Sequence, residues 1–354
     1  MSPASIHRVL FTGCPCAMTS FRFFVGIDVS KHTLDLCLIE NLSMKPKHLR
    51  VGNADAGFAQ LMEWLAEHEA LPSATVCCME NTGLYDDRLL EALTLYGYAC
   101  AVEKTTTLEQ VGPTHHRKDD AFDAELLAEY AYRYQDKLCL WCAAEPIIEE
   151  IRMLYAERRR LITQRGAAQQ LFGERAYRTA QTDLAEELWE EQIAFLTRQI
   201  DRIEARIEEL LQRDEDIHHR YQLLRSMAGF GKVLALLWLV TFYGETRLNP
   251  RRIASRYGVA PHGEVSGTSH QVKARSTGHG NAEMRKVLTM SARSVATHYE
   301  KFRRYKERKL AEGKPSKLVT NNIINKLIRI VCTLWNQNVF YDEDHVSRFA
   351  KNSA

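Results

Sequence analysis

Residues 23 to 40 read FFVGIDVSKHTLDLCLIE, and one position in that stretch governs how the rest of the chain is read. Phe23, Val25 and Ile27 alternate, which is the period of a strand with a face in a core, and a second apolar run extends from Leu34 to Ile39. Asp28 stands at the end of the first run, where a carboxylate is unfavourable unless a partner or a task holds it there. Strands over roughly 22–29 and 33–40 are close enough to form a hairpin, and Lys47 to Val51 can add a third.

Working outward, Phe58, Leu61, Met62 and Leu65 recur at helical spacing, after which Ala74 to Met79 is a short apolar run that ends on Glu80. NTGLYDDRLLEALTLYGY reads as a loop into a helix, ACAVE as a strand, and residues 118–134 as a helix. Three strands followed by alternating helix and strand is the order of a ribonuclease-H-like α/β fold, a mixed sheet flanked by helices. The expected organisation is an N-terminal extension (1–20), this α/β domain (21–146), a helical coiled-coil linker (147–219), a mainly α domain (220–342) and a tail (343–354).

In the linker, Trp189, Ile193, Leu196, Ile200, Ile203, Ile207 and Leu210 alternate in steps of four and three, with charged residues between them. That seam either closes a helical hairpin within the chain or pairs two copies, giving a dimer or tetramer. The C-terminal part opens with LLRSMAGFGKVLALLWLVTFYG, where Gly229 and Gly231 lie between two apolar helical segments. A helix-hairpin-helix module presents backbone N–H groups to a phosphate in this way, with Lys232 beside them, and a plain helix-helix turn has the same pattern.

Charge separates the two ends. From residue 219 onward there are 24 Lys and Arg against 9 Asp and Glu, whereas the preceding residues hold 23 against 36, so a formal net charge of +2 conceals one end suited to polyanions. Arg251-Arg252, Arg285-Lys286 and the run from Lys301 to Lys309 are grouped. No stretch has the roughly 20 apolar residues of a membrane span. The nine scattered cysteines fit reduced thiols better than a disulfide framework, and the lone Cys139-x-x-Cys142 lacks further zinc ligands at suitable spacing, so the chain reads as cytoplasmic.

Asp28 has acidic company. Glu80 ends a later strand, and HHRKDDAFDAELLAEYA supplies Asp120 and Asp123, three apart and on one helix face. Asp119 competes with Asp120, and the three-residue step to Asp123 favours Asp120. In a ribonuclease-H-like fold these four acids would converge, and grouped carboxylates are suited to hard divalent ions such as Mg²⁺, with Mn²⁺ accepted by the same oxygens. Two such ions would polarise a phosphodiester. Each acid alone also has a structural reading, as a turn cap, a loop residue or the acidic first turn of a helix.

VGIDVSK (25–31), MENTG (79–83), RKDDAFDAELLAEYA (117–131), MAGFG (227–231) and YGVAPHGEVSG (257–267) occur in this order. Together they resemble the DEDD transposases of the one-ten family of bacterial insertion sequences, relatives of the Piv and MooV DNA invertases. The resemblance spans roughly residues 22–340 and implies a RuvC-like N-terminal domain joined by a coiled coil to a C-terminal transposase domain. It implies that Asp28, Glu80, Asp120 and Asp123 bind metal, and that Ser266, in the P-x-x-x-x-S-G match, is a nucleophile on DNA. It further implies multimers working on donor and target DNA, at the nucleoid, with a bridge RNA that pairs with both. Arg275, Arg285 and Lys286 would then hold phosphates near a composite site formed by the acids and the serine loop. The chain departs from the pattern at Thr277-Gly278-His279-Gly280-Asn281, where a basic residue is expected.

Competing readings are a Holliday-junction-type nuclease using the same acids with water, and a non-enzymatic nucleic-acid-binding protein, for which the acids would have no task. A sugar-kinase-like ATPase is disfavoured because a second Gly-rich phosphate loop is missing.

Overall fold

The structure is a computed structural model that describes residues 20–81, 83–103, 119–138, 140–143, 145–177, 183–262, 265–266, 270–271, 275–276 and 280–342. The readings made for residues 1–19, Cys139, His279 and the tail 343–354 lie outside the described residues. The chain separates into two compact units, Met1–Ala144 and Glu145–Ala354.

In the first unit, β1 (Phe23–Val29) and β2 (Thr33–Glu40) form the expected hairpin, with Asp28 opposite Asp35. Its turn is closed by Ser30, whose Oγ accepts from the Thr33 backbone N–H at 3.1 Å. Antiparallel to β2 runs β3 (Lys47–Gly52), while β4 (Thr75–Glu80) lies parallel to β1 and β5 (Ala99–Glu103) parallel to β4. The order β3-β2-β1-β4-β5 gives a mixed sheet of the ribonuclease-H-like arrangement.

Both faces of this sheet are covered, which explains why its central strands are apolar throughout rather than alternating. On one face, Phe23, Val25 and Ile27 pack with Leu61 and Leu65 of α1 (Asp55–Glu67) and Leu89 and Leu93 of α2 (Asp87–Leu95). The opposite face carries Phe24, Gly26 and Asp28, and there α3 (Asp120–Arg133) lies across the strands through Ala124, Leu127, Ala128 and Ala131. Gly26 sets that approach. A methyl group at Gly26 would lie 1.9 Å from the Ala124 carbonyl oxygen and 2.4 Å from the Ala128 nitrogen, so backbone meets backbone with no room for a side chain.

The second unit is helical. The long helices α4 (Pro146–Gly173) and α5 (Asp183–Arg213) form an antiparallel hairpin, followed by α6 (Glu215–Ser226), α7 (Lys232–Phe242) and α8 (Pro250–Arg256). Four two-residue strands, β6 to β9, occupy Pro261–Ser276, and α9 (Ala282–His298), α10 (Glu300–Ala311) and α11 (Ser316–Gln337) complete the chain order. Helix α7 is apolar on all sides because it is the centre: Leu234 to Val240 and Phe242 are all buried, with Trp238 fully enclosed.

The heptad seam is used within the chain along much of its length. Leu196 and Ile200 pack on Leu161, while Ile207 and Leu210 join the same core as Trp238. Arg158 pairs with Glu204 at 2.6 Å and Arg206 with Glu150 at 2.8 Å, clamping the two helices in register. Toward the far end of the hairpin, Leu184, Leu188 and Phe195 are exposed.

Two glycine substitutions separate the packing requirement from ordinary helix propensity. Gly26→Leu is expected to destabilise the first unit by at least about 1–3 kcal/mol, from overpacking against helix backbone. Gly166→Ala, in α4 with nothing within 4 Å of the added carbon, is expected to stabilise the chain by roughly 0.5–1 kcal/mol. Urea unfolding followed by circular dichroism measures both, and equal effects of the two would contradict the packing assignment.

Candidate active site

The question raised by Asp28 is resolved by the face it occupies. Asp28 shares the α3 face of β1 with Gly26, and the parallel register that pairs Ile27 with Met79 sets Asp28 beside Glu80 at the carboxyl ends of neighbouring strands. Glu80 is itself opposite Glu103 on β5. Because α3 approaches so closely at Gly26, its first turn brings Asp120 and Asp123 to the same end of the sheet.

Electrostatics register the convergence. The half-buried Asp28 carboxyl is pushed up to about 6, first by burial and then by the charges of Asp120, Asp123, Asp35 and Glu80. Asp119 has a different task, accepting from the Ala121 N–H at 3.3 Å as the N-cap of α3.

Two participants were not singled out from the sequence. Asp35 is buried on β2 opposite Asp28, and Arg50, opposite Asp35 on β3, places its guanidinium 3.6 Å from Asp35 and 3.7 Å from Asp120. Arg50 thus supplies one positive charge to a row of carboxylates. The signal was present as a charge inside the apolar run LDLCLIE, but only strand register shows that it faces Asp28.

In the second unit, Ser266 lies in β7 (Val265–Ser266), paired with His270 of β8 (His270–Gln271). Arg275 in β9 (Arg275–Ser276) pairs with His262 of β6 (Pro261–His262). Their side chains lie outside the described residues. Gly229 has a packing reason of its own: its φ is +84°, and a methyl group there would meet Ser291 and Val295 of α9. Gly231 is the N-cap of α7, and the neighbouring Lys232 shares a cavity with Arg225, Glu204 and Glu208, so both signs of charge meet at this helix end. Arg285 donates to the Gly280 carbonyl at 2.8 Å, and Lys286 is exposed.

With this geometry in place, comparison with known proteins gives a consistent result. Residues 25–172 match the DEDD transposase family model, and residues 221–307 match the model described as "Transposase IS116/IS110/IS902 family". The "Pilin gene-inverting protein" of Moraxella bovis is 25% identical over 326 residues, covering 91% of this chain and 98% of its own. The protein of the same name from Moraxella lacunata is also 25% identical over 326 residues, with the same coverage. A solved structure, "T. thermophilus RuvC in complex with Holliday junction substrate", aligns with 34% of this chain and 99% of its own at 14% identity and a TM-score of 0.26, too low to add to the fold assignment. The class these matches define is a transposase, an enzyme of DNA recombination. The chain belongs to the IS116/IS110/IS902 family of transposases.

The acidic site suits a divalent cation by donor chemistry, since it offers carboxylate oxygens alone. Among the described residues, no three His, Cys, Asp or Glu side chains already surround a common point at ligand distance. The raised Asp28 carboxyl indicates negative charge that a cation would offset.

The sign of this linkage is testable. Between about pH 4 and pH 6 the folded Asp28 retains a proton that the unfolded chain has released, so stability falls as pH rises through that window and the full cost remains above it. In metal-free protein, Asp28→Asn should therefore be more stable than wild type at pH 8, by about 1 kcal/mol after allowance for solvent screening, with the difference vanishing near pH 4. Added Mg²⁺ should raise the melting temperature of wild type and not of the variant. Thermal melts at the two pH values, with and without Mg²⁺, give both answers.

Proposed function

We propose that this transposase cuts and rejoins DNA through a covalent serine intermediate, with Ser266 as nucleophile and Asp28, Glu80, Asp120 and Asp123 as the metal-holding acids. The observation that carries the reading is the convergence of carboxylate charge on Asp28 at the α3 end of the sheet. Mg²⁺, or Mn²⁺, bound there would polarise the phosphodiester and lower the barrier to alkoxide attack. Strand register sets Asp28 and Glu80 on neighbouring strands and the packing of α3 fixes the helix that carries Asp120 and Asp123, which supports assigning these four as the donors.

In the proposed step the Ser266 Oγ forms a bond to phosphorus as its proton passes to a base, and the bond from phosphorus to the departing sugar oxygen breaks with that oxygen taking up a proton. The resulting phosphoserine diester conserves the bond, and attack by a sugar hydroxyl of the new partner strand releases Ser266. Arg275, Arg285 and Lys286 are proposed to contact backbone phosphates, and Gly229, Gly231 and Lys232 belong to the turn proposed as a further backbone contact.

Sequence choice is assigned to a bridge RNA that pairs with donor and target DNA, leaving the protein to read helix shape and backbone. The exposed Leu184, Leu188 and Phe195 near the end of the α4–α5 hairpin support pairing of copies through the coiled coil, as a dimer or tetramer. Action on the bacterial nucleoid places the protein in the cytoplasm, and among the described residues no helix is long and apolar enough to cross a membrane.

The test is a denaturing gel of protein incubated with its element's junction DNA, RNA and Mg²⁺. A covalent protein–DNA adduct is expected for wild type and for neither Ser266→Ala nor Asp28→Ala. Cleavage without an adduct that persists in Ser266→Ala would replace this reading with hydrolysis by water.

A further inference from the structure

Helix α10 carries Lys301, Arg303, Arg304, Lys306, Arg308 and Lys309 against Glu300 and Glu307. Some of this charge is balanced locally, by Arg304 with Glu300 and by Arg308 and Lys309 with Glu312, at 3.9 Å and 2.6 Å. The remainder meets more cations from α11. Lys326 sets its ammonium 3.5 Å from the centre of the Tyr305 ring, and Arg308 approaches that ring at 5.7 Å. Lys301, Lys326 and Arg329 line one cleft of about 660 Å³, together with Phe302, Ile330 and Phe340. Among the described residues none of these three cations forms an ion pair, and one carboxylate, Asp342, lines the same cleft.

A basic helix on a protein surface is ordinarily a solvated face. This cluster differs because Lys326 is drawn partly out of water toward other cations, and its ammonium is made more acidic by burial first and then by Arg308, Arg329, Lys301 and Lys309. Folding brings these charges together against their repulsion, and a polyanion would relieve it. The apolar wall of Phe302, Ile330 and Phe340 beside the charges suits a ligand that alternates phosphates with less polar sugar faces.

We propose that the cleft between α10 and α11 binds the phosphodiester backbone of the DNA that this transposase recombines, with Lys301, Lys326 and Arg329 as the phosphate contacts. The residues that line the cleft do not include the acids or Ser266. It rests on the transposase assignment and is independent of the covalent chemistry, since backbone binding requires neither the serine nor the metal. Such contacts hold register on the duplex and carry no sequence information.

The test uses the full chain in EDTA, with a fluorescein-labelled DNA duplex and, separately, an RNA hairpin. Anisotropy titrations from roughly 50 to 200 mM NaCl give the affinity and its salt dependence. Lys301→Gln/Arg329→Gln is expected to weaken duplex binding by about tenfold or more and to reduce the slope of log K against log salt by about 1.8, the loss of two phosphate contacts. Lys326→Met, which keeps the stem on Tyr305, should reduce the slope by about 0.9. Arg160→Gln, a charge removed from α4, should leave both quantities unchanged, and melting temperatures within error of wild type confirm that each variant is folded. An unchanged slope in the double variant overturns the proposal. So does a loss confined to the RNA hairpin, which would assign the cleft to RNA.

Discussion

The contact between the backbone of β1 at Gly26 and the backbone of α3 at Ala124 and Ala128 is the constraint on which the acidic site depends. Strand register alone brings two carboxylates, Asp28 and Glu80, to one edge of the sheet. The other two are on a helix, and a helix packed at ordinary distance on large side chains would carry Asp120 and Asp123 farther from that edge. Glycine beneath and alanine above remove the intervening side chains. The small residues of this face are therefore as necessary to the site as the acids.

That close approach has an electrostatic consequence. Burial raises the proton affinity of Asp28, and the charges of Asp120, Asp123, Asp35 and Glu80 raise it further. Arg50 moderates the repulsion from the β3 side by standing between Asp35 and Asp120. The second unit has the complementary problem, an excess of cations gathered on α10 and α11. Each unit thus holds like charges that folding alone does not favour, and each set is suited to part of the same ligand system: divalent cations for the acids, phosphates for the bases.

Much of the first unit was legible because its signals are local. A hairpin with a carboxylate at its end, a later strand closing on Glu80, and two acids three apart on a helix can all be read from spacing. Asp35 and Arg50 were not, because their roles depend on which residue lies across the strand pair, a non-local fact that composition does not carry. The alternation of Phe23, Val25 and Ile27 suggested one core face, whereas Phe24 is equally buried because α3 covers the other. At Gly229 one pattern has two sources: the positive φ and the lack of a side chain are required by packing against α9, whether or not the turn also meets a phosphate. The heptads of α5 were periodic enough to predict a seam, but period cannot specify whether its partner is α4 or a second copy.

The proposed cation site requires that helix packing at Gly26 bring the four acids to one end of the sheet. The most direct measurement is an anomalous difference map from crystals of the full chain grown in Mn²⁺. The account predicts a peak bounded by Asp28 and Glu80 from the sheet and by Asp120 or Asp123 from α3, and its absence in Gly26→Leu or Asp28→Asn crystals. Peaks elsewhere in the molecule, with none among these carboxylates at Mn²⁺ concentrations that support strand cleavage, would contradict it.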